Sequence, residues 1–170
     1  EARPAATTTA EDPDWAAISE QVSPSAVSIL SSTGSGTSQG TGVVLDEDGT
    51  ILTNDHVAGD AESLQVTTSD GRSFAASVVG TDPSTDLAVI RLEDPPEDLQ
   101  PATFADSSTV AVGQPVMALG TPLGLENTVT TGIVSALDRP VSATGGGAVG
   151  SHTTFTSPTQ TDPAVHPCNS

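Results

Sequence analysis

Residues 40–57 read Gly-Thr-Gly-Val-Val-Leu-Asp-Glu-Asp-Gly-Thr-Ile-Leu-Thr-Asn-Asp-His-Val. Two short β-branched runs, Gly42–Leu45 and Thr50–Thr53, flank the turn Asp-Glu-Asp-Gly at 46–49. Glycine after aspartate reverses a chain cheaply, because glycine takes positive φ without a Cβ clash. The stretch therefore predicts a β-hairpin, and it sets the pattern for its surroundings. Further runs at Ala26–Leu30, Leu64–Thr68, Arg72–Val79 and Asp86–Leu92 are punctuated by Ser-Asp-Gly at 69–71 and Asp-Pro at 82–83. Six antiparallel strands in about 70 residues predict a small closed barrel.

The flanks are read against that barrel. Residues 1–12 are small and polar without apolar period, which predicts a flexible linker. Trp15, Ile18 and Val22 follow at helical spacing, with Asp12 or Asp14 available as a cap and Pro24 as a stop, so one short helix precedes the strands. The acidic, proline-bearing stretch 93–101 reads as a connector to a second unit. That unit contains strand-like runs at Gln114–Gly120, Asn127–Leu137 and Thr153–Ser157, with a loose glycine-rich loop at 142–150 and His152 beside it. Three strands do not close a barrel, and the last would be an unpaired edge. The expected organisation is a linker at 1–12, a helix plus six-stranded barrel over 13–95, and an incomplete second barrel over 96–170. The fold class is all-β.

Composition removes several classes of function. Aspartate and glutamate number 22 against four arginines and no lysine, for a formal net charge of −18. A nucleic-acid partner needs clustered cations or aromatic stacking platforms, and the aromatics are only Trp15, Phe74, Phe104 and Phe155. Apolar runs reach four residues, as in Leu87–Ile90, whereas a membrane-spanning helix needs roughly 20. Cys168 is the single cysteine, so no internal disulfide forms. The chain starts at Glu1 and Met117 is its only methionine, which points to a processed product or a piece of something longer.

His56 follows a strand directly, at a barrel end, where a catalytic group would stand; beside Asp55 it also fits a hydrogen-bonded structural residue. Asp86 opens a strand where an apolar residue is expected, and a buried carboxylate needs a partner. Alternatively it only caps the turn begun at Asp82-Pro83. Ser170 closes the sequence in Asp-Pro-Ala-Val-His-Pro-Cys-Asn-Ser at 162–170. In a Ser-His-Asp triad the serine attacks, the histidine takes its proton and the carboxylate fixes the imidazole tautomer. The order His56, Asp86, Ser170 puts the first two in one barrel and the serine in the next, as in the chymotrypsin-like arrangement.

With these residues in place, residues 40–57 resemble the segment around the catalytic histidine of the HtrA/Deg family of trypsin-like serine proteases. Ser-Asp-Gly-Arg at 69–72, Val-Gly-Thr-Asp-Pro-Ser-Thr-Asp-Leu-Ala-Val-Ile at 79–90, Val-Gly-Gln-Pro-Val-Met-Ala-Leu-Gly-Thr-Pro-Leu-Gly-Leu at 112–125 and Thr-Val-Thr-Thr-Gly-Ile-Val-Ser-Ala-Leu at 128–137 are similar to that family in its order. The resemblance covers roughly 25–140 and 158–170. It implies a trypsin-like double β-barrel endopeptidase, the first barrel complete and the second partly present, acting through an acyl-enzyme. His56 is then general base, Asp86 its orienting carboxylate and Ser170 the nucleophile. Cys168, Asn169 and Ser170 form the oxyanion and substrate-binding segment. No metal or cofactor is implied. The implied substrates are unfolded or extended polypeptides, in the cell envelope or outside the cell. Homotrimers and membrane contact through an N-terminal anchor, absent from this stretch, are implied for the full-length protein.

The family carries Asn-Pro-Gly-Asn-Ser-Gly-Gly-Pro at its nucleophile, whereas this chain reads His166-Pro167-Cys168-Asn169-Ser170. Cys168 replaces a glycine whose N–H helps build the oxyanion hole, and the strands expected after the serine are missing. The 170 residues are accordingly expected to be an inactive fragment of a protease. The rival expectation is a non-catalytic, peptide-binding remnant of the same fold. Cys168 as a substitute nucleophile, or with His166 as a metal pair, is weaker, since two ligands do not make a zinc site. Asp46, Asp48 and Gly49 mimic a calcium loop but read better as the hairpin turn.

Overall fold

The computed structural model describes residues 13–121 and 128–137, and the backbone of three short strands beyond them at 141–144, 152–155 and 160–161. Helix α1 spans Trp15–Val22, and Asp14 Oδ1 caps it by accepting the Ala17 N–H at 3.0 Å. Six strands follow: β1 Ala26–Thr33, β2 Gly36–Val44, β3 Thr50–Thr53, β4 Ser63–Thr67, β5 Ser73–Asp82 and β6 Leu87–Leu92, with the one-turn helix α2 at Asp55–Ala58 between β3 and β4. They close into a barrel of order β1-β2-β3-β6-β5-β4, every pair antiparallel. The expected barrel is present.

Alternation along each strand fills its interior. Val27 and Ile29 of β1, Val44 of β2, Ile51 of β3, Val66 of β4 and Ile90 of β6 are fully buried. Side chains of a strand alternate between faces, so one row from each strand meets inside. The connector contributes as well, because Leu99 joins this core and the Ala102 N–H donates to the Val44 carbonyl at 2.9 Å. Gly42 faces the same interior from β2. A Cβ there would lie 2.7 Å from Ile51 Cγ2 and 2.8 Å from Ile29 Cδ1, so no side chain fits without displacing two others.

Both aspartate-glycine turns form as read, with Gly49 at φ 83° and Gly71 at φ 85°. Aspartates tie the turns down. Asp46 Oδ1 accepts the Thr50 N–H at 2.9 Å, and Asp70 accepts the Thr68 hydroxyl at 2.6 Å and the Arg72 Nε–H at 2.6 Å. Arg72 also reaches Asp98 at 2.9 Å, linking this turn to the connector through an exposed ion pair of small expected worth. The Thr50 hydrogen bonds hold the Asp46 carboxyl below its ordinary value of 3.8, and the Thr68 hydroxyl does the same for Asp70. A depressed folded-state value contributes stability above pH 3.8 that is lost as the pH falls through the folded value. The difference in melting temperature between wild type and Asp46→Ala is therefore expected to be full well above pH 3.8 and to shrink as the pH falls below it. Thermal melts across that range test it; a pH-independent difference would assign the effect to packing.

The second unit contains β7 Pro115–Gly120, β8 Thr128–Ala136, β9 Val141–Thr144, β10 His152–Phe155 and β11 Gln160–Thr161. β8 lies between β7 and β11, and β9 pairs with β10. Two expectations are corrected. The loop read over 142–150 begins as a strand, and the strand read at Thr153–Ser157 is paired, Phe155 opposite Val141 and His152 opposite Thr144. A serine-threonine-alanine run lacks the apolar alternation that signals a strand, and backbone pairing supplies the structure instead. The two units touch where Thr41 Oγ1 accepts the Thr121 N–H at 3.2 Å.

Candidate active site

Strand β3 ends at Thr53, Asn54 stands in extended backbone, and α2 starts at Asp55, so His56 projects from the first turn of a helix clamped onto the barrel mouth. The clamp is Val57, which is buried and packs where Gly40 of β2 leaves room; a Cβ on Gly40 would sit 2.5 Å from Val57 Cγ2. Thr53 secures the other side by donating its hydroxyl to the Thr41 carbonyl at 2.9 Å. His56 itself stays in reach of solvent, its side chain 50% exposed.

Asp86 approaches from the neighbouring strand, because β3 pairs with β6 and sets Thr53 opposite Ala88. The strand begins at Leu87, one residue later than read, and Asp86 adopts φ 55°. This left-handed conformation is uncommon outside glycine, though aspartate tolerates it better than most residues. It turns the carboxylate toward α2. Asp86 Oδ2 lies 2.8 Å and Oδ1 3.0 Å from His56 Nδ1, and Oδ1 also accepts the His56 N–H at 3.0 Å. A carboxylate offers only acceptors, so the ring nitrogen facing it carries a proton, and in the neutral ring it is Nε2 that keeps the lone pair.

Capping of the Asp82-Pro83 turn does not fall to Asp86. Asp82 caps its own turn, accepting the Ser84 N–H at 3.0 Å and the Thr85 hydroxyl at 2.9 Å. The Ser84 and then the Thr85 hydroxyl keep its carboxyl below 3.8. Asp86 is thereby free for His56. A cleft of about 510 Å³ between α1, β2 and β7, bordered by Val22, Thr41, Pro101 and Leu119, has no titratable side chain in its lining, so it offers no acid–base group.

Of the residues singled out from sequence, His56 and Asp86 are brought together. Cys168, Asn169 and Ser170 lie outside the described residues, as does His166. Asn54 was missed. Its Nδ2 donates to the Asp86 carbonyl at 3.1 Å and to Asp86 Oδ2 at 3.3 Å, across 32 residues of chain. An asparagine ahead of a helix reads locally as a cap, and nothing nearby marks so distant a partner. Among the described residues no group of three or more potential metal ligands occurs, and no helix is long and apolar enough to cross a membrane.

Comparison with known proteins agrees with this geometry. A model of the trypsin-like peptidase domain matches residues 40–170. Serine protease PepD of Mycobacterium tuberculosis is 44% identical over 162 residues, covering 90% of this chain and 34% of the relative. Putative serine protease HhoA of Synechocystis sp. is 45% identical over 132 residues, covering 78% of this chain and 32% of the relative. The chain thus spans about a third of the length of the curated relatives it matches. Among solved structures, the HtrA-type protease AlgW with a tripeptide aligns at TM-score 0.69 and 34% identity, covering 75% of this chain and 41% of that one. A substituted AlgW with a tripeptide aligns at TM-score 0.77 and 32% identity, covering 92% and 48%. A match over most of the sequence, with a closed barrel that sets a carboxylate against a histidine at its mouth, establishes that the chain belongs to the trypsin-like serine peptidases, with HtrA-type proteases as its relatives.

Proposed function

We propose that the protein carrying this chain is a serine endopeptidase of the HtrA type. The observation that carries the reading is the 2.8 Å contact between His56 Nδ1 and Asp86 Oδ2 on a half-exposed imidazole. In this reading the Ser170 hydroxyl gives its proton to His56 Nε2 as the serine oxygen attacks the scissile carbonyl carbon. Asp86 stabilises the imidazolium that forms, and His56 then hands the proton to the leaving amine as the scissile C–N bond breaks, which leaves the acyl group on Ser170. The N–H groups of the Cys168–Ser170 segment receive the developing oxyanion. Water repeats the sequence in the second half and frees Ser170.

Extended polypeptide is the substrate class, supported by AlgW structures that carry a tripeptide or a decapeptide. Relatives named as probable periplasmic DegP-like endoproteases support an envelope location. Homotrimers, N-terminal anchoring and a division into barrels at 13–95 and 96–170 belong to the same proposal. The test is covalent labelling by a fluorophosphonate, which reacts with an activated serine, alongside hydrolysis of an unfolded protein. Both are expected to disappear in Ser170→Ala. Hydrolysis that survives Ser170→Ala would refute the assignment, and peptide binding without labelling in the wild type would favour the non-catalytic reading.

A further inference from the structure

Asn54 occupies the cap position of α2, with its carbonyl accepting the Val57 N–H at 3.1 Å and the Ala58 N–H at 3.3 Å. An asparagine there ordinarily turns its side-chain oxygen onto the backbone N–H two or three residues further on. Asn54 makes no such bond. The N–H it leaves, that of His56, is taken instead by Asp86 Oδ1 at 3.0 Å, while the Asn54 amide donates to Asp86. Asparagine and aspartate have exchanged partners: the distant carboxylate caps the helix, and the cap residue holds the carboxylate.

The exchange has a chemical consequence. Both acceptors of Asn54 Nδ2 belong to Asp86, one being its main-chain carbonyl and the other its carboxylate. The amide nitrogen carries two hydrogens for these two acceptors, and the amide oxygen would repel both, so the nitrogen must face Asp86. Fixing carbonyl and carboxylate together holds the side chain against its own backbone, at a residue whose φ of 55° is left-handed. The carboxylate is then aimed at two groups of His56, the backbone N–H and ring Nδ1.

We propose that Asn54 is a positioning residue for the candidate dyad: by donating to Asp86 rather than capping α2, it keeps the carboxylate turned onto His56 and so keeps the imidazole in the Nδ1–H tautomer. The inference rests on the proposed protease function for its purpose. Its test requires no turnover.

Asn54→Asp separates positioning from capping. Aspartate caps a helix as well as asparagine does and has the same shape, but it has no donor and sets a second negative charge against Asp86. Asn54→Ser, uncharged, also caps, and it is one bond too short to replace the amide. The readout is the ¹⁵N resonances of the His56 ring in its neutral form, assigned by comparison with His56→Ala. Wild type is expected to show one tautomer with the proton on Nδ1. Both variants are expected to lose it to a mixture, with kcat falling and KM unchanged where turnover is measurable. Asn54→Ser carries the test should Asn54→Asp not fold. A folded variant that retains the single Nδ1–H tautomer would overturn the proposal, as would mixed tautomers in the wild type. An ordered Nδ1–H ring without turnover in the wild-type protein that carries this chain would refute the protease reading and leave Asn54's role standing.

Discussion

Asparagine in place of Asp86 is expected to cut peptide hydrolysis by about 10⁴-fold, the loss known for trypsin-type triads, while the first barrel stays folded. The reason lies in who donates. His56 Nδ1–H, the His56 backbone N–H and Asn54 Nδ2 all converge on the Asp86 carboxylate. An amide has one oxygen to meet them and brings an NH₂ of its own. With that group facing Nδ1, the imidazole must accept there and carry its proton on Nε2, where the serine's proton has to go. Stability is little affected, because asparagine tolerates the left-handed φ of 55° at this position as aspartate does. Hydrolysis of an unfolded protein, followed together with a circular-dichroism melt, checks both halves. A loss below tenfold in a folded variant would remove Asp86 from the proton path.

The largest expected effect on stability is at Gly42. A first side-chain atom there would stand 2.7 Å from Ile51 Cγ2, 2.8 Å from Ile29 Cδ1 and 3.1 Å from Val27 Cγ2, and all three residues are fully buried. They belong to β1 and β3, the two strands that flank β2 in the closed ring, so Gly42 is hemmed in from both sides. Gly42→Val is expected to cost about 3 kcal/mol, the upper part of the range for overpacking a core. The urea midpoint reports it. Adding Ile51→Ala should return part of the loss, since the two sites share one volume and their effects are not additive. An unchanged midpoint for Gly42→Val would mean that the interior is slack on this side.

The same two regions show what could be read from sequence. Strand β3 falls on Thr50–Thr53 as expected, because an aspartate-glycine turn before it and a polar Asn-Asp-His after it mark both ends. The first two thirds of β2, from Gly36 to Thr41, were missed: small polar residues give no apolar alternation, and pairing with β1 imposes the extended backbone. Asp86 drew notice as a carboxylate at a strand start, but its left-handed backbone and two-point hold on His56 arise from tertiary packing, which no local pattern encodes. Gly40 likewise acquires meaning only once Val57 lies against it. Cys168, Asn169 and Ser170 were read from motif resemblance alone.

The hold of Asp86 on the His56 N–H bears on how the molecule opens. The amide two positions into an isolated one-turn helix would exchange with solvent almost freely, but this one is bound by a residue thirty positions away that β6 delivers only when paired with β3. Parting β3 from β6 breaks this bond, so it is lost with the opening of the ring as well as with motion of the turn that carries Asp86. Assembly of the histidine-carboxylate pair is thus tied to the cooperative transition of the whole ring. Chains in which β3 and β6 have not yet paired hold the two residues apart and lack a competent dyad.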